Sequence, residues 1–74
     1  MELLTYLLRT KLTIDQFAER TVKVDPDGVG VSARTVQRYL AGAGGSIRAA
    51  ELISRASRRR VRLKDLVPER FRPG

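Results

Sequence analysis

Apolar residues recur at helical spacing in four stretches of this chain and change their spacing in one interval. Leu3, Leu4, Leu7 and Leu8 form a narrow stripe that predicts a first helix from about Glu2 to Arg9. Glu2 near its start and Arg9 near its end suit the helix dipole. Thr13-Ile14-Asp15-Gln16 is a capping-box pattern, in which a hydroxyl and an amide satisfy each other's orphan backbone N–H groups. It opens a second helix from Ile14 to about Arg20 or Thr21, with Ile14, Phe17 and Ala18 inward and Asp15, Glu19 and Arg20 outward. Ser32 is a suitable N-cap for a third helix from Ala33 to about Leu40, whose apolar face is Val36, Tyr39 and Leu40. The glycines of Ala41-Gly42-Ala43-Gly44-Gly45 stop it. Ser46 caps a fourth helix, Ile47 to about Ser57, with Ala49, Leu52, Ile53 and Ala56 as its buried stripe. Arg58-Arg59-Arg60 places cations at its negative pole. Val61 and Leu63 then tuck back, and a last helical turn around Lys64-Asp65-Leu66 precedes Pro68.

Residues 22–31 break the helical period. Val22-Lys23-Val24 and Val29-Gly30-Val31 alternate on either side of Asp25-Pro26-Asp27-Gly28, where Pro26 presets a turn and Gly28 supplies a left-handed residue. This predicts a short β-hairpin. A lone two-stranded ribbon is marginal in water, so one valine face is expected to pack on the domain or a partner. A floppy insertion is the competing reading. The fold class is therefore mostly α, with four to five helices and a hairpin at about 22–31. Residues 1–68 form the domain and 69–74 a loose tail.

Seventy-four residues make one small domain near the lower limit for a self-sufficient core. Without Cys there is no disulfide or thiolate zinc site, and without His the commonest metal ligand and general base are gone. Close helix packing must supply the stability, which also favours dimerisation. The apolar runs are far too short to span a bilayer, and the first residues lack a basic region of the secretory kind. The expected location is cytoplasmic, nucleoid-associated in a bacterial or phage-infected cell.

The net charge of +7 is unevenly placed. Residues 1–31 carry 4 basic and 5 acidic groups, residues 32–57 carry 4 and 1, and residues 58–74 carry 7 and 2. A basic domain polarised in this way favours a polyanion partner over a merely solvated surface. The outer face of the third helix carries Ala33, Arg34, Gln37 and Arg38. Arginine reads guanine and glutamine reads adenine through bidentate hydrogen bonds, so this face suits a DNA major groove. The bland alternative is an ordinary solvated helix face.

Phe17-Ala18, then Gly30-Val31-Ser32 leading into Thr35-Val36-Gln37-Arg38-Tyr39-Leu40, resemble the helix-turn-helix family of phage repressors and Cro-like regulators. Ser46 through Ala56 and Val61 through Pro68 look like the end of small Cro-type and YdaS-type regulators. The resemblance spans roughly residues 3–68. It implies a lambda-repressor or Cro-like domain that binds double-stranded DNA as a homodimer. It also implies that Ser32, Ala33, Arg34, Gln37 and Arg38 face DNA, with Arg34 and Gln37 as base readers. Thr13 and the start of the second helix would hold a backbone phosphate through N–H groups. Gly44, Gly45, Ser46 and Arg48 would form a second such edge. The sequence departs from the family in one interval: Ala18 and Gly30 lie twelve apart rather than four. About eight residues are thus inserted, at a loop-closure cost on the order of 1 kcal/mol. A hairpin that loops out would keep the crossing of the second and third helices.

The hairpin itself has two roles open to it. Lys23 and the turn could act as a wing beside the groove, although Asp25 and Asp27 would repel phosphate. Pairing of the Val22–Val24 or Val29–Val31 edge with a second copy is the other. Arg58, Arg59 and Arg60 either touch phosphates or end the fourth helix in solvent. Other chemistry is excluded. Read as a calcium loop, Asp25-Pro26-Asp27-Gly28 puts valines where oxygen ligands are required. The glycines at 42, 44 and 45 lack the strand and lysine of a nucleotide loop. No catalytic constellation, metal, cofactor or small-molecule site is evident, so an enzyme is not expected. Two functions remain. One is a sequence-specific transcriptional regulator, most simply a phage- or prophage-type repressor. The other is a protein-interaction module, such as an antitoxin or phage adaptor. A protein groove would show exposed aromatics, for which Phe71 is the candidate outside the core.

Overall fold

A computed structural model describes residues 1–66 as five helices in succession. They are α1 (Leu3–Thr10), α2 (Ile14–Val24), α3 (Ala33–Leu40), α4 (Ile47–Ala56) and α5 (Leu63–Leu66). The chain is mostly α, and no strand occurs among the described residues. The expected tail at 69–74 lies outside them. So do Val67, Pro68 and Phe71.

Helix α2 is the hub and packs on both α3 and α4. Phe17 of α2, Val36 of α3, Ile53 of α4 and Val61 after it are completely buried. Tyr6 of α1 meets Phe17 edge-on with ring centroids 5.9 Å apart, a favoured arrangement for two quadrupoles. Each of the three main caps forms as its residues dictate. Thr13 Oγ1 accepts from the Gln16 N–H while Gln16 Oε1 accepts from the Thr13 N–H. Ser32 accepts from the Thr35 N–H, and Ser46 from the Ala49 N–H.

The expected hairpin at 22–31 is not there. Helix α2 runs one turn further than its pattern suggested, through Val24. Two physical facts decide this. Thr21 and Val24 extend the inward face begun by Phe17 and Ala18, so continuing the helix buries more than a lone ribbon would. Pro26 then ends the helix, because the residue before a proline is driven out of the α region. Asp25 accordingly sits at φ −83°, ψ 122°. The hairpin's two proposed roles fall with it: Lys23 lies on the exposed side of α2 rather than on a wing, and 22–24 and 29–31 offer no strand edge.

Helix α1 also differs in which leucines it buries. Leu3 and Leu7 are inside with Tyr6, while Leu4 and Leu8 are 55% and 70% exposed. The core covers one flank of this short helix, and the large ring of Tyr6 takes the place expected for the second leucine pair. Leu63, expected to tuck back, is likewise exposed, whereas Leu66 is buried.

Gly30 is the tightest point of the α2–α3 connection. Its φ is +66°, and a Cβ there would stand 2.6 Å from both the Val22 backbone nitrogen and Val22 Cγ2. Gly28 has a similar φ of +71° but open space around it. Gly28→Ala is therefore expected to destabilise by about 1 kcal/mol, the left-handed penalty alone. Gly30→Ala should cost about 3 kcal/mol or more, since backbone cannot move aside. Chemical denaturation of the two variants measures the difference. Equal losses would mean that the close approach to Val22 is not a constraint.

Candidate nucleic-acid interface

The outer surface of α3 is produced by its inner one. Val36 and Tyr39 are buried, Leu40 and Ala33 are half-buried against the core, and Tyr39 Oη donates to the Ser46 carbonyl at 2.7 Å. Burial pushes the Tyr39 phenol pKa up, so it remains a neutral donor. With that face fixed, Arg34, Gln37 and Arg38 occupy the opposite arc of about 100° and are exposed. Ala33, expected on the outer face, sits instead at the edge of the core. The start of α3 is closed by Ser32 and Thr35, whose hydroxyls lie 3.2 Å apart. Its end is a complete Schellman motif: the Gly42 N–H donates to the Tyr39 carbonyl and the Ala43 N–H to that of Arg38.

What aims this helix is the loop before it. Thr21, fully buried on α2, accepts the Val31 N–H at 2.9 Å and donates to the Ala18 carbonyl. Asp25 is buried too, and its carboxylate accepts the N–H groups of Asp27, Val29 and Gly30 at 2.9, 3.2 and 2.8 Å. The Gly30 and Asp27 N–H groups hold the Asp25 carboxyl below the usual range. Arg48 adds to them, against the opposing effect of burial. Thr21 of α2 and Asp25 just past its end thus hold the connection at four backbone N–H groups. The Asp-Pro-Asp-Gly composition signals this Asx turn, a feature beyond the turn expected there.

The other candidate residues are distributed as follows. Thr13 is exposed at the start of α2, with its hydroxyl engaged by the capping box. Ser46 caps α4 and also holds Tyr39 through its carbonyl. Arg48, expected beside Ser46 as a backbone contact, is turned to the loop. Its Nη2 pairs with Asp25 at 3.2 Å and Asp27 at 3.0 Å, leaving the side chain 58% exposed. Lys23, Arg58, Arg59 and Arg60 are exposed. Arg59 shares Glu51 with Arg55, at 3.4 and 3.1 Å. Among the described residues, no carboxylate pairs with Arg34, Arg38, Arg58 or Arg60.

Comparison of the chain with protein-family models, with curated proteins and with solved structures finds no match.

The Asp25 cluster has a pH signature. Its folded pKa is depressed, so its stabilisation is complete above about pH 4 and decays as acid protonates the carboxylate. Asp65 is also depressed, first by the Met1 ammonium 2.9 Å away, and follows the same sign. Asp25→Asn is expected to lower Tm at pH 7 by several degrees and to flatten the fall of Tm between pH 5 and 2. Thermal unfolding followed by circular dichroism tests this. A Tm–pH curve parallel to wild type would remove Asp25 from the acid response.

Proposed function

We propose that this protein is a sequence-specific, double-stranded DNA-binding regulator, reading the major groove with α3 as a phage-type repressor does. The observation that carries the reading is the arc of Arg34, Gln37 and Arg38 on a helix whose other face is locked into the core. An eight-residue helix is about 12 Å long, close to the width of the major groove. Arg34 lies in its first turn and Gln37 one turn on, the part that enters the groove in helix-turn-helix proteins. Ser32 caps that end without adding charge, which suits approach to phosphate. The exposed start of α2 at Thr13 offers a second set of N–H groups for the backbone.

A homodimer is part of this reading, formed without the strand pairing expected at 22–31. The reading as a protein-interaction module, such as an antitoxin or phage adaptor, is favoured by one observation. Leu4 and Leu8 are exposed one helical turn apart on α1, and no described element covers them.

Selection from a randomised duplex library at near-physiological salt distinguishes the two. Wild type is expected to enrich a palindrome with half-sites about 10 bp apart. The Arg34→Ala/Gln37→Ala protein should lose that preference by at least about tenfold. Its stability should stay within about 0.5 kcal/mol of wild type, because both side chains are exposed. Equal, unselective binding by both proteins would overturn the regulator reading and leave the interaction module.

A further inference from the structure

A second basic feature stands apart from the outer face of α3. Between α1, α2 and the turn after α4 lies a cleft of about 250 Å³, lined by Tyr6, Thr10, Arg20, Ser57, Arg58 and Arg60. Three of these six are arginines, and none is a carboxylate. The chain neutralises neighbouring arginines selectively: Glu51 takes Arg55 and Arg59, whereas Arg20, Arg58 and Arg60 have no acidic partner among the described residues. Among the described residues, the Arg20 side chain bonds to the Tyr6 hydroxyl, which accepts from its Nη1 at 3.3 Å. That leaves the phenolic proton of Tyr6, a buried residue, free to donate into the cleft.

The backbone beside the cleft departs from what packing alone would choose. Helix α4 ends in a Schellman motif, with the Arg58 N–H donating to the Arg55 carbonyl and the Arg59 N–H to that of Ser54. The left-handed residue of that motif is ordinarily glycine. Here it is Arg58, at φ 56°, followed by Arg59 at 61°. α3 ends in the same motif with Gly42 in that position. The helix dipole accounts for cations near the end of α4. It does not account for an arginine in the left-handed position itself, nor for Arg20 arriving from α2.

We propose that this cleft binds a phosphate group, held by Arg20, Arg58 and Arg60 with the Tyr6 hydroxyl as a further donor. Guanidinium groups match phosphate oxygens in geometry as well as charge. The volume is ample for a phosphate group. The phosphate belongs either to a nucleic-acid backbone or to a free phosphorylated ligand. The site does not depend on α3 reading DNA.

Titration of the isotope-labelled protein with inorganic phosphate, at ionic strength held constant with chloride, tests the site by NMR. Saturable shifts confined to Tyr6, Thr10, Arg20 and residues 57–61 are expected. Arg58→Gly should weaken binding about tenfold, the loss of one charge-assisted contact. The same variant should keep or raise Tm, because glycine relieves the left-handed position. Arg20→Gln should weaken binding similarly. Shifts that never saturate and spread equally to Arg34 and Arg38 would overturn the proposal. So would wild-type affinity in Arg58→Gly. Added duplex DNA identifies the source: displacement of bound phosphate from the cleft assigns it to a nucleic-acid backbone, and retention assigns it to a free ligand.

Discussion

The hold of α2 on the loop that follows it is the constraint on which the functional surface rests. An isolated helix of eight residues is not stable in water, so α3 has no orientation of its own. The buried Thr21 hydroxyl and Asp25 carboxylate supply one, by taking the N–H groups of Asp27, Val29, Gly30 and Val31. Gly30 completes the arrangement by letting the backbone approach Val22 more closely than a side chain allows. Arg48 closes the cluster from α4, linking the loop to the other helix that packs on α2. A polar network of this kind is worth having only when every member is satisfied. Among the described residues no buried side-chain nitrogen or oxygen lacks a partner.

Charge is partitioned rather than simply accumulated. Among the described residues, every acid from Asp25 onward pairs with a cation. Asp25 and Asp27 meet Arg48, Glu51 meets Arg55 and Arg59, and Asp65 meets the Met1 ammonium. Besides Arg9 and Arg62, two groups of arginines are left without a carboxylate among the described residues. One is on the outer face of α3, and the other lines the cleft beside α1. Exposed ion pairs contribute little to stability, so the pairing matters chiefly for where positive potential remains. Positive charge with no acid beside it is what draws a polyanion.

Much of the helical framework was legible in the residues. The capping box at Thr13, the caps at Ser32 and Ser46, and the period of α3 and α4 are local signals, settled within one or two turns. The glycines after Leu40 are another, and α3 spans the very residues its pattern marks out. The misreadings share one cause. Val22 to Val31 alternates like a hairpin, but alternation does not say whether a partner surface exists to bury it. Thr21 and Val24 found theirs on the core, which a helix reaches and a ribbon does not. Pro26 did announce the end of that helix, and was read as a turn residue only. Leu4 and Leu8 stayed outside for the related reason that the core meets one flank of a short helix, and Leu3, Tyr6 and Leu7 fill that contact.

Composition, charge and local pattern by themselves determined that this chain is small and helical, capped rather than cross-linked, and basic in its second half. They also placed Arg34, Gln37 and Arg38 on the outer face of α3, because helical period alone separates these from Val36 and Tyr39, although it put Ala33 there too and the core took it. Tertiary structure decided what becomes of the arginines. Arg48 was drawn to Asp25 and Asp27 from 23 and 21 positions away. Arg20 and Arg58, still farther apart in sequence, came to line one cleft with Tyr6. Local pattern fixes which way a side chain leaves its helix. Which charge it then meets depends on long-range packing, and no spacing along the chain encodes that.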